Sequence, residues 1–262
     1  MKTIMHLISA LPFLIAGALP ALAAPAANVK PTVILVHGAF ADATSWNGVV
    51  AKLRSDGYTV IGAANPLRSV KGDAAFLTSI VENVNGPVVL VGHSYGGAVI
   101  SAAANGQPNV KSLVYIAAFA PEEGETVLGL SGRFPGSTLG GALAKPVTLE
   151  HDGKDLYIQQ EKFHQQFAAD LPVAQAQLMA VAQRPVTEAA LNEAAGAPAW
   201  KQLPSYFLYG TRDKNIPPAA LGFMAERAKS RKTVRIEGAS HSVMASHPDA
   251  VVRIIGEAAA AK

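Results

Sequence analysis

The chain has 262 residues, half of them apolar and 16% charged, with no cysteine and a formal net charge of +3. That is the composition of an ordinary globular protein. It excludes a disulfide scaffold and a thiolate metal site, and so small a charge gives no strong field for collecting nucleic acid or an anionic membrane. The expected partner is a small molecule.

At the N-terminus, Lys2 is the only charge before an apolar run from Ile4 to Leu22, which ends in Ala21-Leu22-Ala23 ahead of Ala24-Pro25. A positive start, an apolar middle and small residues at the end describe a secretory signal peptide over residues 1–23. The run is nearly long enough for a membrane anchor, but Pro12, Gly17 and Pro20 interrupt it, so cleavage is expected, with residues 24–30 as a linker and no stable anchor afterwards. Losing Lys2 lowers the formal charge from +3 to +2. The expected location is secreted or periplasmic, and a lack of cysteine suits an oxidising compartment.

Six short apolar, β-branched runs then follow: Thr32 to Val36, Tyr58 to Ala63, Val88 to Val91, Ser112 to Ile116, Ser205 to Tyr209 and Thr233 to Ile236. Continuous apolar runs of this length suit strands buried on both faces. Between them, Trp46, Val49, Val50 and Leu53 recur at helical spacing, as do Leu77, Ile80, Val81 and Val84. Alternation of strand and helix predicts an α/β fold: a mostly parallel six-stranded sheet with helices on both faces. The stretch 121–199 breaks the rhythm and is too long for a structureless loop. It is expected to be a small helical cap inserted between a first core part, 31–120, and a second, 200–262, over the carboxyl ends of the strands.

The third run leads directly into Gly92-His93-Ser94-Tyr95-Gly96, a G-x-S-x-G pattern, and then into a helical Ala-Val-Ile-Ser-Ala stretch. This is the context of a nucleophile elbow, in which the serine sits on a tight strand-to-helix turn with its hydroxyl exposed. It matches neither G-x-G-x-x-G nor the P-loop pattern, so a nucleotide-binding turn is disfavoured. A serine needs a base, and in this fold the partners follow in the order serine, acid, histidine. His241, after the last strand run, fits the base; Asp213, after the fifth, fits the acid that holds the imidazole tautomer. Glu122, after the fourth run, is the rival acid, in a Pro-Glu-Glu-Gly turn. The oxyanion hole takes two backbone N–H groups, those of Tyr95 and of Ala39 in the loop after the first strand, with Phe40 as the alternative to Ala39. No H-E-x-x-H or paired metal-ligand spacing appears, so no metal and no cofactor is expected.

These motifs resemble the α/β-hydrolase superfamily, and within it the branch of plant methylesterases and hydroxynitrile lyases with their bacterial relatives. The likeness spans about 31–255 and rests on His37-Gly38, Trp46, the elbow, Gln183-Arg184-Pro185, Asp213 to Pro217 and His241 to Met244. It implies an ester or related acyl bond as substrate and a mobile cap lining the pocket. The lyases of this branch carry a lysine directly after the catalytic histidine, where this chain has Ser242. Hydrolysis of a small-molecule carboxylic ester is therefore expected ahead of a lyase reaction or a non-catalytic ligand receptor.

Overall fold

The computed structural model describes residues 29–261, so the expected signal peptide and most of the linker lie outside the described residues. The first half of the core runs β1 (Thr32–Val36), α1 (Asn47–Ser55), β2 (Val60–Ala63), α2 (Val70–Glu82), β3 (Val88–His93), α3 (Gly96–Ala103) and β4 (Val110–Ile116). The intervening stretch holds α4 (Val127–Gly132), α5 (Leu139–Ala142), β5 (Val147–Thr148), β6 (Lys154–Leu156), α6 (Gln160–Phe167), α7 (Val173–Ala182), β7 (Val186–Thr187) and α8 (Glu188–Asn192). The core then resumes with β8 (Ser205–Gly210), α9 (Pro218–Arg227), β9 (Lys232–Ile236), α10 (Val243–Ser246) and α11 (Pro248–Ala260).

The six core strands form one parallel sheet in the order β2-β1-β3-β4-β8-β9. Every residue of β1, β3 and β8 is buried, because helices cover both faces, whereas the edge strands β2 and β9 are largely half-buried or exposed. The unbroken apolar runs therefore mark the centre of the sheet. Each strand begins or ends within two residues of its expected limit; β3 extends to His93 because Gly92 and His93 still pair with Tyr115 and Ile116 of β4.

On the helices, the periodic positions turn inward as expected: Val49 and Leu53 of α1, Leu77 and Val81 of α2 are buried. Ser69 caps α2 by accepting from the Gly72 N–H at 3.0 Å, which satisfies one of the free donors of its first turn. Val84 falls beyond the helix, whose last residue is Glu82.

Two features position the site. The chain leaves β1 towards β2 on one side and returns to β3 on the other, so the sheet order reverses between β1 and β3, where open α/β sheets bind ligands. The stretch between β4 and β8 contributes residues to the pocket above that point. It is not purely helical: β5, β6 and β7 form a small antiparallel sheet, with Asp155 opposite Val147 and Thr187. Strands of two or three residues are too short to leave a period-two signal, which is why the sequence showed only the helices.

Candidate active site

Ser94 follows β3 with φ of 52°, in the left-handed region that costs a non-glycine residue energy and persists only where its surroundings impose it. The imposing contacts are backbone ones. Ser94 O accepts from the Gly97 and Phe119 N–H groups at 3.0 and 3.1 Å. The glycines around it are sites of close approach: a Cβ at Gly92 would lie 2.6 Å from Gly96 O, one at Gly96 2.6 Å from Val36 O, and one at Gly97 2.3 Å from Phe119 O. Gly38 completes the set, since its Cβ would meet the Ser94 Cβ at 2.6 Å. The elbow can form only where no side chain occupies these four positions.

His241 and Asp213 come together in the folded chain. His241 Nδ1 lies 2.6 Å from Asp213 Oδ2, both side chains essentially inaccessible to solvent. The other oxygen, Asp213 Oδ1, accepts from the N–H groups of Asn215 and Ile216 at 2.8 and 2.9 Å, which fixes the carboxylate plane. His241 Nε2 is buried and has no hydrogen-bond partner among the described residues. It is the ring atom left free for proton transfer. Ser94 makes no hydrogen bond to it here; the ring of His93, the residue before Ser94 in the chain, stands 4.7 Å centroid to centroid from that of His241.

Glu122, the alternative acid, is elsewhere. It forms a partly exposed ion pair with Lys201 at 2.5 Å, and that hydrogen bond holds its carboxyl below the usual range. The Pro-Glu-Glu-Gly segment is a surface turn, so its carboxylate faces a lysine instead of the imidazole.

The two loop amides separate as well. Phe40, with φ of 61°, donates its N–H to Arg184 O at 2.9 Å. The Ala39 and Tyr95 N–H groups meet no protein acceptor among the described residues, and both residues line the pocket that contains Ser94. Two amides, one from each strand flanking the sheet reversal, are thus available to a developing oxyanion.

Buried polar side chains support these amides. Tyr95 donates its hydroxyl to Asp73 Oδ2 at 2.9 Å, and burial pushes both that phenol and the Asp73 carboxyl up. Gln183 clamps the backbone of Ile158 through both its amide atoms, at 2.9 Å each, and so sets the segment that presents the Arg184 carbonyl. Trp46 is fully buried and meets the His93 ring edge-on at 6.3 Å; its part is packing. These hydrogen-bonding roles of Asp73, Gln183 and Arg184 were not legible in the sequence, where Gln183 and Arg184 stood only as part of the resemblance, because their partners lie far away along the chain.

His93 is fully buried, and that burial, with His241 beside it, holds its pKa well below the ordinary imidazole value of 6.5; burial also lowers that of His37. Folding therefore disfavours the protonated form of both, whereas both take protons below about 6.5 once unfolded. The unfolded state then binds more protons, so stability is present above that pH and is lost as pH falls through it, by up to about 1.4 kcal/mol per pH unit for each histidine. Asp73, with its raised pKa, works in the opposite sense above 3.8. Denaturant titrations of wild type and His93→Gln between pH 5 and 7 isolate the histidine contribution, the range being about centred on its titration. A shallower slope is expected in the variant, and equal slopes would contradict it.

The Ser94 pocket is lined by Phe40, Phe119, Val127, Leu139, Leu191 and Ile216 among others, with no charged side chain, and it encloses about 50 Å³. Among the described residues no cluster of histidines and carboxylates could hold a metal ion.

A parallel sheet carrying a strained serine at its reversal point, with a His–Asp pair from the ends of later strands, defines a hydrolase-type α/β protein. Residues 33–254 match the model of the alpha/beta hydrolase family, and the chain belongs to that family. It is 27% identical over 253 residues to alpha/beta hydrolase nvfD of Aspergillus novofumigatus, a match covering 88% of this chain and 97% of that protein. It is 26% identical over 255 residues to putative methylesterase 11 of Arabidopsis thaliana, covering 86% of this chain and 63% of that one. Among solved structures it is similar to polyneuridine aldehyde esterase, with a TM-score of 0.75 at 18% identity over 87% of this chain and 99% of that one.

Proposed function

We propose that this protein is a serine hydrolase that cleaves a small-molecule carboxylic ester through an acyl-enzyme on Ser94. The observation that carries this reading is the buried His241–Asp213 pair at 2.6 Å with its Nε2 unpartnered, in a chain whose elbow holds Ser94 in a strained conformation. In the mechanism, His241 Nε2 takes the Ser94 proton as Oγ attacks the ester carbonyl. Asp213 holds the Nδ1–H tautomer and stabilises the imidazolium. The Ala39 and Tyr95 amides receive the oxyanion, each contributing roughly 3 kcal/mol of transition-state stabilisation. His241 then returns the proton to the leaving alcohol, and a water activated by the same nitrogen releases the acid.

Likeness to a protein named methylesterase supports an ester as substrate. The lyase alternative is weakened further by Ser242, which is fully inaccessible with its N–H bonded to Phe167 O at 3.0 Å, so a lysine there would bury an unpaired ammonium. A fluorophosphonate probe that labels wild type and not Ser94→Ala supports catalysis; no labelling of wild type would favour a ligand receptor. The pocket, at about 50 Å³, is far below the roughly 300 to 1,000 Å³ of occupied ligand sites, so an ester enters only when the stretch between β4 and β8 moves.

We also propose export with cleavage after Ala23, supported by the residue pattern of 1–23. No helix of the described residues is long and apolar enough to cross a membrane. The intact mass of protein recovered from a secreting host tests this: a mature chain beginning at Ala24 is expected, and a retained leader would refute it.

A further inference from the structure

We propose that Asn215 is the polar reader of the substrate pocket: its side-chain Nδ2 donates a hydrogen bond to an oxygen acceptor, such as an ether, carbonyl or hydroxyl oxygen, carried by an otherwise apolar and uncharged ester. The proposal rests on the ester-hydrolase reading of Ser94. Asn215 is 3% exposed and lines the same pocket as Ser94, yet its Nδ2 is buried with no partner among the described residues. A buried amide donor without an acceptor is rare in a folded protein and calls for a ligand or a water.

The hydrogen-bond network fixes which end of the amide is free. Gln166 Nε2 must be nitrogen, because it donates to the Lys214 carbonyl at 2.9 Å. The same Nε2 lies 2.6 Å from the Asn215 side chain, so the atom it meets there must be the acceptor, Oδ1. The remaining Gln166 oxygen accepts from Thr138 Oγ1 at 2.8 Å. An inverted Asn215 amide would set two donors against each other, so Nδ2 is the unpaired end.

The residue is also held rigidly. Its backbone N–H donates to Asp213 Oδ1 at 2.8 Å, and its carbonyl accepts from Ser131 and Ser137 at 3.3 and 2.9 Å. A fixed single donor in an apolar pocket is the arrangement that confers orientation and specificity on a ligand. With no charged side chain in the lining, an ionised substrate would be desolvated without compensation, so the acceptor belongs to a neutral group.

The test is an oxygen scan. Hydrolysis of butyl hexanoate is compared with that of analogues in which one chain methylene, on the acyl or the alcohol side, is replaced by oxygen, position by position. Wild type is expected to favour one position over the plain ester by about tenfold in kcat/KM, the effect of one net hydrogen bond. In Asn215→Leu, and in Asn215→Asp, which keeps the acceptor for Gln166 but loses the donor, that ratio should fall to about one. The Asp variant carries the test if the Leu variant does not fold. Binding of the same series to Ser94→Ala, measured as Kd, should show the same preference without any turnover. A flat scan in wild type, or a preference that survives in both variants, overturns the proposal. Failure to hydrolyse any ester overturns the reading it rests on, and the Kd series then decides the role of Asn215 alone.

Discussion

Replacing Ser94 with alanine should reduce ester turnover about a million-fold, the loss typical of a triad nucleophile, while the protein remains folded. The second half of that expectation follows from the local structure. The Ser94 hydroxyl makes no hydrogen bond to protein among the described residues, and alanine carries the same Cβ into the same backbone conformation, so neither a partner nor a new strain enters. The elbow is maintained by its glycines and by backbone bonds to Ser94 O, which the substitution leaves in place. Steady-state kinetics with a p-nitrophenyl ester, alongside a thermal melt, measures both halves. Near-wild-type turnover in a pure, folded variant would remove Ser94 from the mechanism.

Asp213→Asn should be the next most damaging change, at roughly ten-thousand-fold in kcat. The substituted amide can still accept from Asn215 and Ile216 through its oxygen, so the turn survives. Its nitrogen, however, would face His241 Nδ1, and two donors cannot share that contact. The imidazole then moves its proton to Nε2, the atom that must be bare to accept from Ser94. Glu122→Gln provides the contrast: it weakens a partly exposed ion pair with Lys201, and such pairs contribute at most about 1 kcal/mol to stability and none to this chemistry. Its kcat should stay within a few-fold of wild type. If the two variants exchanged places, the acid would come from the segment after β4.

The physical distinction between what was legible in the sequence and what was not is one of range. Unbroken apolar runs identify β1, β3, β4 and β8 because burial on both faces leaves no room for alternation, and their order with the helices dictates a parallel sheet. The glycines of the Ser94 elbow are equally local, three of the four lying within Gly92 to Gly97, although the backbone they make room for includes Val36 at the end of β1 and Phe119 after β4. His241 follows from chain order, and Asp213 from order plus position after a strand. The short strands β5 to β7 did not show, because a two-residue strand carries no periodicity. Which acid meets the imidazole, and which amide after β1 is spent on Arg184, are decided by partners dozens of residues away, as the 2.6 Å contact of Asp213 and the 2.9 Å bond from Phe40 illustrate. In the sequence Asn215 is one polar residue of the Asp213 to Pro217 segment, which turns after β8 in the fold. Only the packing of α6 against that turn, with Gln166 taking its oxygen and leaving its nitrogen unpaired beside the Ser94 pocket, gives it a chemical identity, because an unsatisfied donor is a property of an environment and not of a residue.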